Sequence, residues 1–103
     1  MRVGMVNYRD HCDSYVTMVH HLDDDIVKTK KFIDKSCASG GGDFPEAVCC
    51  GLNDALNVLK WRDDAVKIVI LIADAPPHGL GLSGDSFPKG SLVLKSESNT
   101  NEF

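Results

Sequence analysis

No stretch of this sequence approaches the roughly 18 consecutive apolar residues that a membrane-spanning helix needs. The most pronounced run, Ile68-Val69-Ile70-Leu71-Ile72-Ala73, is far shorter. The opening residues Met1-Arg2-Val3-Gly4-Met5-Val6 lack the apolar core and small-residue cleavage site of a secretory leader. A cytoplasmic protein is therefore expected, extracellular only if a leader lies upstream of Met1. The four cysteines, Cys12, Cys37, Cys49 and Cys50, show no Cys-x-x-Cys spacing and no paired histidine motif, which excludes a thiolate zinc finger and favours reduced thiols. No basic cluster stands clear of acids: Lys28, Lys30, Lys31 and Lys35 lie among aspartates, and the net charge is −4. That mild charge argues against a nucleic acid or an anionic membrane as main partner, and an unidentified protein partner is expected instead. Gly40-Gly41-Gly42 lacks the lysine of a phosphate-binding loop, and kinase motifs and nucleophile–base pairs are missing.

What the chain does contain is ordinary for a globular domain: 103 residues, 43% hydrophobic and 25% charged. Residues 2–8, rich in Val and Met, read as a buried strand ending at Arg9-Asp10-His11. Residues 14–22 suit a second strand joined to the first by a hairpin-length loop. Residues 23–37 carry mixed helical spacing, and Asp23, Asp24 and Asp25 are placed to cap that helix.

After the glycine run, Asp43-Phe44-Pro45-Glu46 reads as a helix start, with Asp43 as N-cap, Pro45 in the first turn and Glu46 closing a capping box. Val48, Leu52, Ala55, Leu56 and Leu59 follow on one stripe, which predicts a helix over 44–60. Residues 61–64 form a loop. The unbroken β-branched run at 67–73 predicts a central strand of a parallel sheet, covered on both faces and lying beside residues 2–8. Two prolines, Pro76 and Pro77, end it. Residues 80–103, rich in Gly, Ser, Asp and Asn, read as a polar, disordered tail.

Counting traverses of such a layered α/β domain places Asp10, His11, Asp43, Asp74 and His78 on one edge, at the carboxyl ends of the strands, where open α/β sheets bind ligands. Asp43 and Asp74 are the candidate ligands of a weak Mg²⁺ or Mn²⁺ site, with Asp10 and His78 as further candidates. Each also has a structural reading: Asp43 as a helix cap, Asp74 and Asp10 as acceptors of turn amides, and His11 and His78 as turn histidines.

Three blocks carry a resemblance. They are Val3-Gly4-Met5-Val6-Asn7-Tyr8-Arg9-Asp10-His11, Gly40-Gly41-Gly42-Asp43-Phe44-Pro45-Glu46-Ala47, and Trp61-Arg62 followed by Lys67-Ile68-Val69-Ile70-Leu71-Ile72-Ala73-Asp74-Ala75-Pro76-Pro77-His78-Gly79. In these the chain resembles the von Willebrand factor A family, above all the A domains attached to alpha-type protein kinases, and more loosely the hemicentin-like ones. The resemblance implies a Rossmann-like α/β fold: a mainly parallel sheet with one antiparallel edge strand and flanking helices. It makes residues 1–79 a partial domain truncated at both ends. It also implies a metal-ion-dependent adhesion site built from three loops. The first loop's Asp-x-Ser/Thr-x-Ser motif has no counterpart here; Asp43 matches the second loop's threonine position and Asp74 the third loop's aspartate. The function expected on this reading is a non-enzymatic protein-interaction module with a degenerate divalent-cation site. The alternatives are a metal-assisted hydrolase with His78 as general base, part of an alpha-type protein kinase, or a truncated product without function.

Overall fold

The computed structural model describes residues 1–11 and 13–90. Two strands, β1 (Val3–Tyr8) and β2 (Thr17–Asp23), pair antiparallel, with Tyr8 opposite Thr17, Val6 opposite Val19 and Met5 opposite His20. The register shifts between Val3 and Met5. Two helices follow, α1 (Ile26–Lys35) and α2 (Val48–Asn57).

The pleat decides which helix covers which face. Asn7 donates to Ser36 Oγ at the end of α1 (2.8 Å), while the neighbouring Tyr8 ring lies against Gly51 of α2. Successive strand residues point to opposite faces, so the two helices cover opposite sides of the pair. The second strand agrees: Thr17 donates to Asp54 of α2 at 2.5 Å, whereas His20, three residues on, contacts Thr29 of α1 and stacks on Phe32.

The first helix starts where its acids predict. Asp25 is the N-cap, and its carboxylate accepts from the amides of Val27 (3.0 Å) and Lys28 (3.4 Å). Asp25→Ala is expected to cost about 1 kcal/mol, and Asp25→Asn almost nothing. Thermal denaturation of the two variants side by side checks this, and equal losses would show that the cap bonds contribute little.

The second helix starts later than its sequence suggests. Its N-cap is Ala47, without a side-chain bond, and Asp43-Phe44-Pro45 lies outside it. Asp43 does not cap the helix, because its Oδ2 accepts from the amide of Ser86 at 2.8 Å. Ala47, Val48, Cys50 and Leu59 form the apolar core, while Leu56, on the predicted stripe, is 48% exposed. Gly51 is required by close approach: a Cβ there would lie 2.8 Å from the Tyr8 ring.

The mainly parallel, Rossmann-like sheet does not form; this corrects both the fold class and the family resemblance that implied it. The sheet has two strands, and both are antiparallel partners. The run at 67–73 follows β1 in the same direction. Its start shares a small cavity with Met1 and Arg2, and at its far end Pro76 accepts from Glu46 while Arg9 accepts from Ala47. It makes no strand pairing with β1, because a larger cavity separates the two. A β-branched run specifies extended backbone, but strand pairing needs a neighbour at about 4.8 Å, and no described segment supplies one. Ile68, Ile70 and Ile72 are therefore 72–87% exposed. Among the described residues, the only parallel bridge outside the named strands is the isolated one between Glu46 and Pro77. Of the expected tail, residues 91–103 lie outside the described residues.

Candidate functional site

Beyond β1 the chain turns sharply at Asp10. The Asp13 amide donates to the Asp10 carbonyl (3.1 Å), the Asp10 amide to the Asp13 carboxylate (3.0 Å), and the His11 amide to the Asp10 carboxylate (2.7 Å). The other Asp13 oxygen accepts from Gly41, and a Cβ at Gly40 would fall 2.4 Å from that carboxylate. Glycine, at a φ of +100° here, is what lets the 39–42 loop close over the Asp10 turn. The pairing of Glu46 and Ala47 with Pro76 and Arg9 then brings the Asp43 loop and the His78 turn to the same place.

His78 is the hub. Its imidazole is fully buried, with Nε2 2.5 Å from Asp10 Oδ1 and Nδ1 2.6 Å from Asp85 Oδ1. Asp43 Oδ2 stands 3.9 Å from Nδ1. His11 stacks on His78 with ring centroids 5.6 Å apart, and Phe87 meets both rings edge-on. Asp85 also accepts from the amides of Gly79 and Phe87, each at 2.8 Å. The 78–90 segment is thus folded back onto its own histidine.

The electrostatics follow from three carboxylates around one imidazole. Burial pulls the His78 pKa down, but the hydrogen bonds to Asp10 and Asp85 and their charges outweigh it, so the pKa is raised above the usual 6.5. The Ser86 amide leads in holding Asp43 below the usual carboxylate value, with help from Asp10 and His78 and against desolvation. Asp85 is desolvated, yet the Gly79 and Phe87 amides and His78 lower its pKa overall. Nearby Glu46 is raised, first by burial and then by the charges of Asp10, Asp13 and Asp43. The surrounding carboxylates thus favour the protonated form of His78.

Among the described residues, one buried side-chain atom is left without a hydrogen-bond partner. Asp43 Oδ1 is buried, on a side chain only 5% exposed. Two overlapping sets of side chains offer ligand atoms within 4.8 Å of one another: Asp10, His11 and His78, and Asp43, His78 and Asp85. Of the residues singled out in the sequence, the structure therefore unites Asp10, His11, Asp43 and His78. Asp74 belongs to neither set; it is exposed, and its charge helps burial raise the Tyr8 phenol. Asp85 and Asp13 escaped the sequence reading. A signal for Asp85 exists in the near-repetition of Gly42-Asp43-Phe44-Pro45 as Gly84-Asp85-Ser86-Phe87-Pro88. Cys37, Cys49 and Cys50 take no part in either set. Among the described residues no helix is long and apolar enough to cross a membrane.

The chain is similar to an ariadne-like RING finger protein of Acanthamoeba polyphaga mimivirus, 41% identical over 91 residues that make up 84% of this chain and 8% of that protein. It is also 41% identical to an alpha-protein kinase of Dictyostelium discoideum over 66 residues, 62% of this chain and 10% of the kinase. The chain thus spans about a tenth or less of the length of the curated relatives it matches. No protein-family profile and no solved structure matches it. These relatives give no support to a von Willebrand factor A assignment or to the adhesion-site vocabulary attached to it. What they establish is kinship with short segments of a RING finger protein and of an alpha-protein kinase.

Proposed function

We propose that this chain is a non-catalytic protein-interaction module carried within larger proteins, whose binding loops are organised by a divalent cation at Asp43, Asp85 and the Nδ1 side of His78. The observation that carries the reading is the buried, unpartnered Asp43 Oδ1 beside two other ligand-bearing side chains, His78 and Asp85. A buried carboxylate oxygen without a donor is costly, and a cation satisfies it. A mixed carboxylate–imidazole set suits Mn²⁺ or Zn²⁺ better than Mg²⁺, which prefers an all-oxygen octahedron. The cation takes the place of the His78 proton, so binding releases a proton and strengthens as pH rises. Occurrence of related segments in two much longer proteins with different names, of which the matched stretches make up 8% and 10%, suits a module rather than an enzyme core. A hydrolase using His78 as base is disfavoured because both ring nitrogens face carboxylates.

The test is a thermal-shift titration of the full chain with Mn²⁺, Zn²⁺ and Mg²⁺. Saturation at a hundred times Kd should stabilise the fold by about 2.7 kcal/mol, with Mn²⁺ or Zn²⁺ effective at lower concentration than Mg²⁺. Asp43→Asn should remove most of the shift. Loss of the shift in Asp74→Ala, with Asp43→Asn unchanged, would move the site away from His78. Turnover of ATP or of a phosphate ester by the isolated chain would overturn the non-catalytic reading.

A further inference from the structure

The cavity between β1 and the 66–73 segment has the dimensions of one missing strand. Its volume is about 1110 Å³, and Leu52 and Ala55 of α2 and Leu59 just beyond it line it together with β1 and the extended run. A strand as long as β1 takes up roughly 20 Å of length, ~4.8 Å of sheet width and ~10 Å of thickness, on the order of 1,000 Å³. Of its two rims, β1 pairs only with β2, which leaves its other edge to the cavity. The opposite rim is the exposed run, whose accessibility alternates: Ile68, Ile70 and Ile72 are 72%, 80% and 87% exposed, Val69 and Leu71 46% and 50%. That alternation is the period of an extended strand with one side turned toward the molecule. An unpaired apolar strand beside an open edge is not left in water without consequence.

We infer that the occupant is the same run of a second copy, so that the chain forms a closed two-fold dimer by reciprocal strand insertion. The geometry is self-complementary. The run follows β1 in the same direction, across a cavity that both of them line. A two-fold axis normal to the sheet, passing between the two runs, reverses the partner's run and sets it in the cavity. The order becomes β2, β1, the partner's run, this chain's run, then the partner's β1 and β2. Every neighbour in that order is antiparallel, the arrangement that β1 and β2 already adopt. Each cavity is filled by the operation that fills the other, so the assembly stops at two copies. The β-branched residues of the two runs then form cross-strand pairs along the axis. This inference does not depend on the cation site.

Sedimentation velocity of the full chain across a micromolar concentration series, with amide exchange on β1, tests it. A concentration-dependent dimer is expected, with β1 amides protected in the dimer. Ile70→Lys and Ile70→Pro should weaken association at least about tenfold, since each acts twice in the symmetric sheet. Their monomers should melt like the parent monomer, because Ile70 is 80% exposed there. Ile26→Lys, on an exposed position of α1, should leave the dimer intact. A monomer throughout the series, an open-ended filament, or a dimer that survives both Ile70 variants would each overturn the proposal; the first of these would point to a strand from a different protein.

Discussion

His78→Leu is expected to be among the most damaging single substitutions in this chain, costing about 3 kcal/mol or more. The imidazole touches solvent nowhere, and two carboxylates face its nitrogens at 2.5 and 2.6 Å with a third at 3.9 Å. Leucine keeps much of the volume but removes the only positive charge, so Asp10, Asp43 and Asp85 are left facing one another. Breaking a buried ion pair from one side costs about 3–5 kcal/mol because the remaining charge loses its compensation. The apolar core, Ala47, Val48, Cys50 and Leu59, is small, and native domains rarely hold more than about 5–15 kcal/mol in total. Thermal unfolding followed by circular dichroism measures the loss. Amide exchange at Gly79 and Ser86, which bond to Asp85 and Asp43, should show the 78–90 segment released first. Two controls separate charge from packing. The loss should shrink in acid, where the carboxylates are neutral, and His78→Leu combined with Asp10→Leu should be more stable than His78→Leu alone. A loss that is the same at both pH values would mean that packing of the ring, not its charge, holds the loops.

The second large effect is a stability maximum on the acid side of neutrality in the metal-free protein. His78 has its pKa raised above its ordinary 6.5, chiefly by hydrogen bonds to Asp10 and Asp85 that overcome its desolvation. Its contribution is therefore complete below 6.5 and disappears as pH rises through the folded value. Asp43, held down first by the Ser86 amide, and Asp85, held down by amides and His78 against its desolvation, lie below their ordinary 3.8. Their contribution is present above 3.8 and is lost as pH falls through the folded values. Glu46, raised above its ordinary 4.5 by burial and neighbouring carboxylates, adds a further loss as pH rises through its own folded value. The melting temperature should peak between 3.8 and 4.5, declining first through Glu46 and again above 6.5 through His78. In His78→Leu the second decline should be absent. Saturating Mn²⁺ or Zn²⁺ should flatten the same decline, because the cation replaces the proton as counter-ion. A parent chain whose stability is flat through neutral pH would show that His78 is not protonated in the fold.

Local chemistry was readable wherever it acts over a few residues. The β1–β2 hairpin, the acid-capped start of α1 and the helical stripe through Val48 and Leu52 follow from periodicity and turn residues; Asp10, His11, Asp43 and His78 are singled out by a traverse count that rests on a sheet that does not form and that also includes Asp74. Tertiary structure decided the rest. Asp43 carries every mark of a helix cap, but Asp43-Phe44-Pro45 is drawn off the helix because Glu46 and Ala47 pair with Pro76 and Arg9, and Asp43 turns to Ser86. Asp85 enters the site only because the segment after Gly79 folds back, which no residue period announces. Asp74 ends the right run in the sequence yet stays exposed beside Tyr8. The run at 67–73 shows the limit most clearly. Its β-branched residues dictate an extended backbone by themselves, but a strand is defined by its neighbour's amides and carbonyls. Whether those residues are buried in a sheet is a property of what lies beside them, which a single chain's sequence does not contain.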